Sequence, residues 1–215
     1  MSCVVLLSGG LDSAANLAFS ASTCVLALTA DYGQKAAHSE IRAAQALSKH
    51  FGVKNLVLDL RWLGALGGSS LTQAGAAVPQ VAKADLDNKS VTEKSADRVW
   101  VPNRNGVLIN VAAAYAESLG ASEVLVGFNR EEAQTFPDNS AAFMEQLNQG
   151  FEYSTRGKVR VSCHTVELDK REIVAKLRRE VPSFPFELLW SCYLGGETAC
   201  GQCESCQRLA RALVS

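Results

Sequence analysis

Short apolar runs alternate along this chain with longer stretches whose apolar positions recur every third or fourth residue, a pattern that predicts strands separated by helices. The run Val4-Val5-Leu6-Leu7 opens the series and is closed by two glycines, after which residues 14–20 suit a crossover helix. Residues 23–30 (TCVLALTA) read as a second strand, without strict alternation because both faces of the sheet are covered. It should run parallel to the first. Residues 36–51 place Ile41, Ala44, Leu47 and Phe51 on one helical face and stop at Gly52; residues 55–60 (NLVLDL) are the third strand. Residues 63–97 have little periodicity and are rich in Gly, Ser, Ala and Lys, which predicts a long excursion rather than a second domain, either functional, as a cover for the nucleotide, or mobile. A polar turn at 101–106 precedes an apolar helix over 107–119, and a strand over 123–128 carries Gly127, the mark of a close backbone approach. Asn139 or Ser140 can cap a helix that reaches Phe151. Residues 159–166 form a further strand, and Asp169 starts a helix that Pro182 and Pro185 stop. The predicted architecture is α/β, a doubly wound parallel sheet.

Composition narrows the class. The 215 residues are 47% apolar and 20% charged, which fits one domain or one with a small appendage. A net charge of −1 points away from a nucleic-acid footprint or a polybasic membrane contact. No apolar run reaches the length of a membrane span, and no basic segment leads into an apolar one at the start, so the expected setting is cytoplasmic. Of seven cysteines, Cys3, Cys24 and Cys163 sit in strand-like runs and read as small buried side chains. The other four, Cys192, Cys200, Cys203 and Cys206, include two consecutive Cys-x-x-Cys steps that return successive thiolates to one side. Four sulfurs suit one structural zinc with no open position; an iron–sulfur cluster is the rival, although here the fourth cysteine precedes the run and no Cys-Pro follows. The expected division is a nucleotide-binding domain over 1–190 and a zinc-binding segment over 191–215, with residues 191–213 pinned against the sheet.

The chemistry concentrates at Ser8-Gly9-Gly10-Leu11-Asp12-Ser13, where a strand ends, the backbone turns on glycines and a helix begins. Such a turn aims N–H groups and the positive helix end at an anion, and the hydroxyls of Ser8 and Ser13 add donors. No Gly-Lys-Ser/Thr follows, so this is not a Walker loop. The hexamer resembles the pyrophosphate loop of the ATP pyrophosphatases, which split ATP between its α and β phosphates and form an adenylate. That resemblance makes Ser8, Gly9, Gly10, Leu11, Asp12 and Ser13 the phosphate-binding set, joined by Gly127. Asp12 is then a metal or phosphate-side carboxylate, with a helix cap as the alternative. Lys170 occupies the position where related ligases place a phosphate-contacting lysine; otherwise it is a solvated cation at a helix start. Asp12, Ser13 and Lys170 are the catalytic candidates. Arg104 and Asn105 would recognise ATP or its acceptor, or else belong to a capping turn.

Over nearly the whole chain, the loop, Tyr32-Gly33-Gln34, Val101-Pro102-Asn103-Arg104-Asn105 and Cys192-Tyr193-Leu194-Gly195-Gly196-Glu197 with the remaining cysteines resemble the 7-cyano-7-deazaguanine synthases. The resemblance implies a Rossmann-like fold of the adenine nucleotide alpha hydrolase type. It also implies a ligase of the queuosine pathway that takes ATP with magnesium, 7-carboxy-7-deazaguanine and ammonia to the nitrile, with AMP and pyrophosphate released. One structural zinc and a homodimer follow from the same likeness. Two departures stand out: Asn103 replaces the family's glycine, and Phe136-Pro137-Asp138-Asn139-Ser140 lacks the arginine that could meet a substrate carboxylate. Arg130 is a candidate substitute; His38 reads as a surface residue and His164 as packed or hydrogen-bonded. A related adenylating enzyme acting on a tRNA base or a protein, and a non-catalytic zinc and nucleotide module, are the alternatives.

Overall fold

In the computed structural model, which describes residues 1–214, the elements follow the predicted alternation. They are β1 (Cys3–Leu6), α1 (Leu11–Ser20), β2 (Cys24–Asp31), α2 (Ala37–His50), β3 (Asn55–Asp59), α3 (Arg61–Ala65), α4 (Lys89–Val99), α5 (Arg104–Leu119), β4 (Glu123–Leu125), α6 (Ala141–Ser154), β5 (Arg160–Ser162), α7 (Lys170–Glu180) and α8 (Glu204–Leu213). The five strands are all parallel and lie in the order β3-β2-β1-β4-β5.

Pleating divides β1 between two cores. Cys3, Val5 and Leu7 meet Leu17 of α1, Leu47 of α2 and Ile173 of α7 on one face, whereas Val4 meets Ile109 of α5 and Met144 of α6 on the other. Each fully buried leucine among these contributes about 1.5–3 kcal/mol. Strand order reverses at β1: the chain winds outward through β2 and β3, then returns to place β4 and β5 on the opposite side. The ends of β1 and β4 therefore diverge into a crevice, where open α/β sheets bind ligands.

Strand β4 is shorter than expected and ends at Leu125, α5 begins earlier at Arg104, and four further departures have a local reason. Helix α1 begins at Leu11 rather than at residue 14, because extended Gly10 (φ −74°, ψ 162°) serves as N-cap and Leu11 is buried in the core. Strand β5 ends at Ser162, since the His164 N–H is drawn off to Asn16 Oδ1 at 2.7 Å. The 63–97 excursion holds much of α4, whose buried face of Thr92, Ser95 and Ala96 has too few large apolar residues to show a period. The tail does not lie against the sheet: α1 and α7 cover that face, so α8 packs on α7 and contributes Leu209, Ala212 and Leu213 to the same core. No helix among the described residues is long and apolar enough to cross a membrane.

Candidate active site

A cavity of about 250 Å³ opens at the crevice between β1 and β4. Its floor is the turn after β1. Gly9 adopts φ +87°, and a Cβ there would stand 2.8 Å from the Ala43 Cβ of α2, so only glycine lets the turn lie against that helix. The turn is tied by side chains: Ser13 Oγ accepts from the Ser8 N–H at 3.2 Å and donates to the Gly10 carbonyl at 3.1 Å. Ser8 and Ser13 hydroxyls also lie 3.1 Å apart, so they shape the loop as well as line the cavity. No side chain among the described residues caps α1, which leaves its first-turn N–H groups without a capping partner where Gly10 to Ser13 line the cavity. Leu11 is buried and has only its backbone to offer a ligand. Gly127 crosses behind this turn. A Cβ on it would come within 2.5 Å of Ser13 N and 2.6 Å of Ser13 Cα, so the approach expected of this glycine is to the loop's backbone.

Asp12 is no cap. Its Oδ2 meets Lys170 Nζ at 2.5 Å, and the same ammonium lies 2.9 Å from Glu132 Oε1. Lys170 is buried, not solvated as a helix-start cation would be, and its first-turn position on α7 is fixed by the capping box of Asp169 and Glu172. Burial works against its charge, but Asp12 and Glu132 outweigh that and hold the ammonium above its ordinary range. Burial pushes the Asp12 carboxyl upward against the pull of Lys170. Asp12 Oδ1 and Asn129 Nδ2 are buried beside this cluster without a hydrogen-bond partner among the described residues. An unsatisfied carboxylate oxygen next to uncapped N–H groups fits a site built for a phosphate and its counter-cation.

The opposite wall comes from α5 and the residues around it. Asn103 adopts φ 50°, so it replaces glycine by accepting the left-handed conformation, and α5 then starts with Arg104 and Asn105 facing the cavity. The Arg104 guanidinium lies 5.7 Å above the Tyr32 ring and donates to the Tyr32 hydroxyl at 3.4 Å, with no carboxylate ion pair among the described residues. Glu40 lines the same wall and accepts from Gln34 Nε2 at 2.8 Å; burial lifts its carboxyl to about 7 against the pull of Gln34 and Arg104. Asn105 Nδ2 donates to the Asp138 carbonyl at 3.3 Å, and Asp138, Phe136 and Trp100 complete this side.

The cysteine segment reaches the cavity as well. Trp190 N–H donates to the Gly9 carbonyl at 2.9 Å, so the strand of chain entering the cluster clasps the loop. Arg208 of α8 joins Glu204 at 2.8 Å and Glu131 at 2.8 Å, while Ser95 of α4 donates to Glu204 at 2.5 Å. Sγ atoms of Cys192, Cys200, Cys203 and Cys206 all lie within 4.8 Å of one another. Backbone N–H groups of Leu194 and Cys200 point at the Cys192 sulfur at 3.4 Å, and that of Cys203 at the Cys200 sulfur at 3.4 Å. Converging sulfurs with amide donors suit thiolates around a metal ion, closed to solvent chemistry.

The family model described as "Queuosine biosynthesis protein QueC" matches residues 2–215. The chain belongs to the QueC family. Its relatives include the 7-cyano-7-deazaguanine synthase of Desulforudis audaxviator, 51% identical over 99% of this chain and 96% of that protein. Those of Bdellovibrio bacteriovorus (48%, 99% and 92%) and Methanosarcina mazei (45%, 99% and 93%) match almost as fully. A solved NMN synthetase from Francisella tularensis aligns at TM-score 0.48 and 15% identity over 93% of this chain and 70% of that one, a likeness too weak to bear on function.

In this QueC-family chain every loop residue singled out from the sequence except Gly9 borders the cavity, as do Arg104, Asn105, Gly127 and Lys170. Arg130 does not. Its guanidinium holds the start of α7, donating to Glu172 at 2.8 Å and to the Glu167 carbonyl at 2.7 Å. His38 is exposed, and His164 Nε2 bonds Ser20 at 2.8 Å. Sequence reasoning missed Glu40, Glu132, Trp100 and Arg208. Glu132 lies two residues from Arg130 and Arg208 two residues from Cys206, but only the fold turns those side chains to the cavity.

Proposed function

We propose that this chain is an ATP-dependent ligase that converts 7-carboxy-7-deazaguanine and ammonia to 7-cyano-7-deazaguanine, releasing AMP and pyrophosphate. The observation that carries the reading is one cavity in which the uncapped start of α1 faces Arg104 and the aromatic side. Full-length likeness to proteins of that name supports it.

A carboxylate is a poor electrophile, so its oxygen first attacks the α-phosphorus of ATP and pyrophosphate leaves. Ammonia then adds to the acyl carbon, AMP departs and an amide results. The amide oxygen attacks a second ATP; loss of the N–H protons and of AMP gives the nitrile. Each adenylation expels pyrophosphate, so one loop serves twice. The N–H groups of the α1 start hold that leaving group in line and stabilise its growing charge. Lys170, kept charged by Asp12 and Glu132, adds a fixed cation behind them. Arg104, with no carboxylate partner, is the cation left to meet the acceptor's carboxylate or the α-phosphate. Glu40 can take up a proton near neutral pH as ammonia adds. Asp12, whose buried Oδ1 has no hydrogen-bond partner among the described residues, would help hold magnesium, which would supply neutralisation of charge on the leaving phosphates.

One zinc per chain in the cysteine cluster is read as structural, holding residues 191–215 to a nucleotide-binding domain over 1–190. A cytoplasmic homodimer acting on small molecules completes the proposal. Incubation of the purified protein with ATP, magnesium, ammonium and 7-carboxy-7-deazaguanine, followed by mass-resolved chromatography, should give AMP and the nitrile together. AMP without nitrile would remove this acceptor and leave adenylation of another. ATP binding with no AMP would leave a non-catalytic module.

A further inference from the structure

Two aromatic rings stand on the cavity side opposite the phosphate loop. Trp100 and Phe136 are parallel to within 7°, with centroids 6.5 Å apart, and both border the cavity. Trp100 remains 37% exposed despite that neighbour, so it lines the cavity without being sealed into the core. Their backbones are restrained: Trp100 ends α4, and Phe136 precedes Pro137, which confines it to extended geometry. Two residues beyond Phe136, Asp138 borders the same space, its carbonyl held by Asn105.

We propose that Trp100, Phe136 and Asp138 form the subsite for the flat acceptor base, the rings stacking on it and the Asp138 carboxylate accepting from its ring N–H and amino group. This rests on the function proposed above and names the residues that read the acceptor. A guanine-type edge presents adjacent N–H donors, which a carboxylate accepts together. Adenine offers an acceptor beside a single amino group on the matching edge, so the same carboxylate turns ATP's base away. Asp138 is thereby a specificity-determining residue, and the phosphate loop stays with the nucleotide.

The test is equilibrium binding of 7-deazaguanine and, separately, of ATP to the full-length protein and its variants. Trp100→Ala and Phe136→Ala should each weaken 7-deazaguanine by about tenfold or more, as loss of a stacking ring does, with ATP binding unchanged. Trp100→Phe and Phe136→Tyr should restore it, which a folding defect would not allow. Asp138→Asn should weaken 7-deazaguanine and raise relative affinity for 7-deazaxanthine, whose 2-oxo group accepts where the amino group donated. Unchanged 7-deazaguanine affinity in all three loss variants, with nitrile still formed by the wild type, would overturn the subsite alone. A wild type that binds ATP but neither binds 7-deazaguanine nor makes nitrile would overturn both the subsite and the proposed function.

Discussion

The two sides of the cavity are built from different parts of the chain's chemistry. The phosphate side is backbone: a turn that only glycine can make at Gly9, N–H groups left uncapped at α1, and Gly127 passing within van der Waals reach of that turn. The opposite side is side chains drawn from the residue that follows α4, from α5 and from the loop before α6: Trp100, Arg104, Phe136 and Asp138. A backbone site recognises a group every ATP shares and is intolerant of change. A side-chain site can be altered residue by residue, and it is there that Asn103 and the residues 136–140 lie, the positions where a departure is expected from the sequence.

If that contrast is right, the phosphate side should break hardest. Lys170→Met leaves Asp12 and Glu132 buried without their cation, and loss of about 3–5 kcal/mol of stability in urea unfolding is expected, together with loss of AMP formation. A stable, active Lys170→Met protein would show that the buried cluster matters to neither. Stripping the metal with a strong chelator should lower the melting temperature by several degrees and loosen the loop, because Trp190 links the cluster to Gly9. Elemental analysis before treatment should find one zinc per chain, and iron would refute that assignment. Gly127→Ala is expected to cost about 1–3 kcal/mol, since its Cβ meets the backbone of Asp12 and Ser13, and to reduce turnover beyond what the stability loss explains.

The smallest expected effect sits on the side-chain wall. Glu40 has its carboxyl raised by burial to about 7, above its unfolded range, so the folded state holds the proton more tightly. Its favourable contribution is complete at acid pH and is lost as pH rises toward and through 7. Urea midpoints measured across that window should fall more steeply in the wild type than in Glu40→Gln. Identical pH profiles would remove Glu40 as a titrating group there.

How far the sequence could be read follows the same divide. Strand and helix alternation carries the parallel, doubly wound sheet, and the spacing of Cys192, Cys200, Cys203 and Cys206 carries their convergence, because both are local regularities. Gly127 was legible as a close approach, though its partner, the Asp12–Ser13 backbone, required the fold. Helix α4 was not legible, since its buried face is small and polar. Neither were Glu40 and Glu132: an isolated glutamate on a helix or loop looks solvated until the fold buries it, Glu132 against Lys170 and Glu40 against Gln34 in the field of Arg104. Arg130 shows the reverse error, a plausible substrate arginine that the start of α7 already engages.

The central claim is that the turn after β1 grips the phosphates that leave. A crystal structure with a non-hydrolysable ATP analogue and magnesium tests it most directly. The β- and γ-phosphates should lie within hydrogen-bonding distance of the N–H groups at Gly10 to Ser13, with the α-phosphorus turned toward Arg104. Phosphates bound elsewhere in the cavity, with that turn left to solvent, would contradict it.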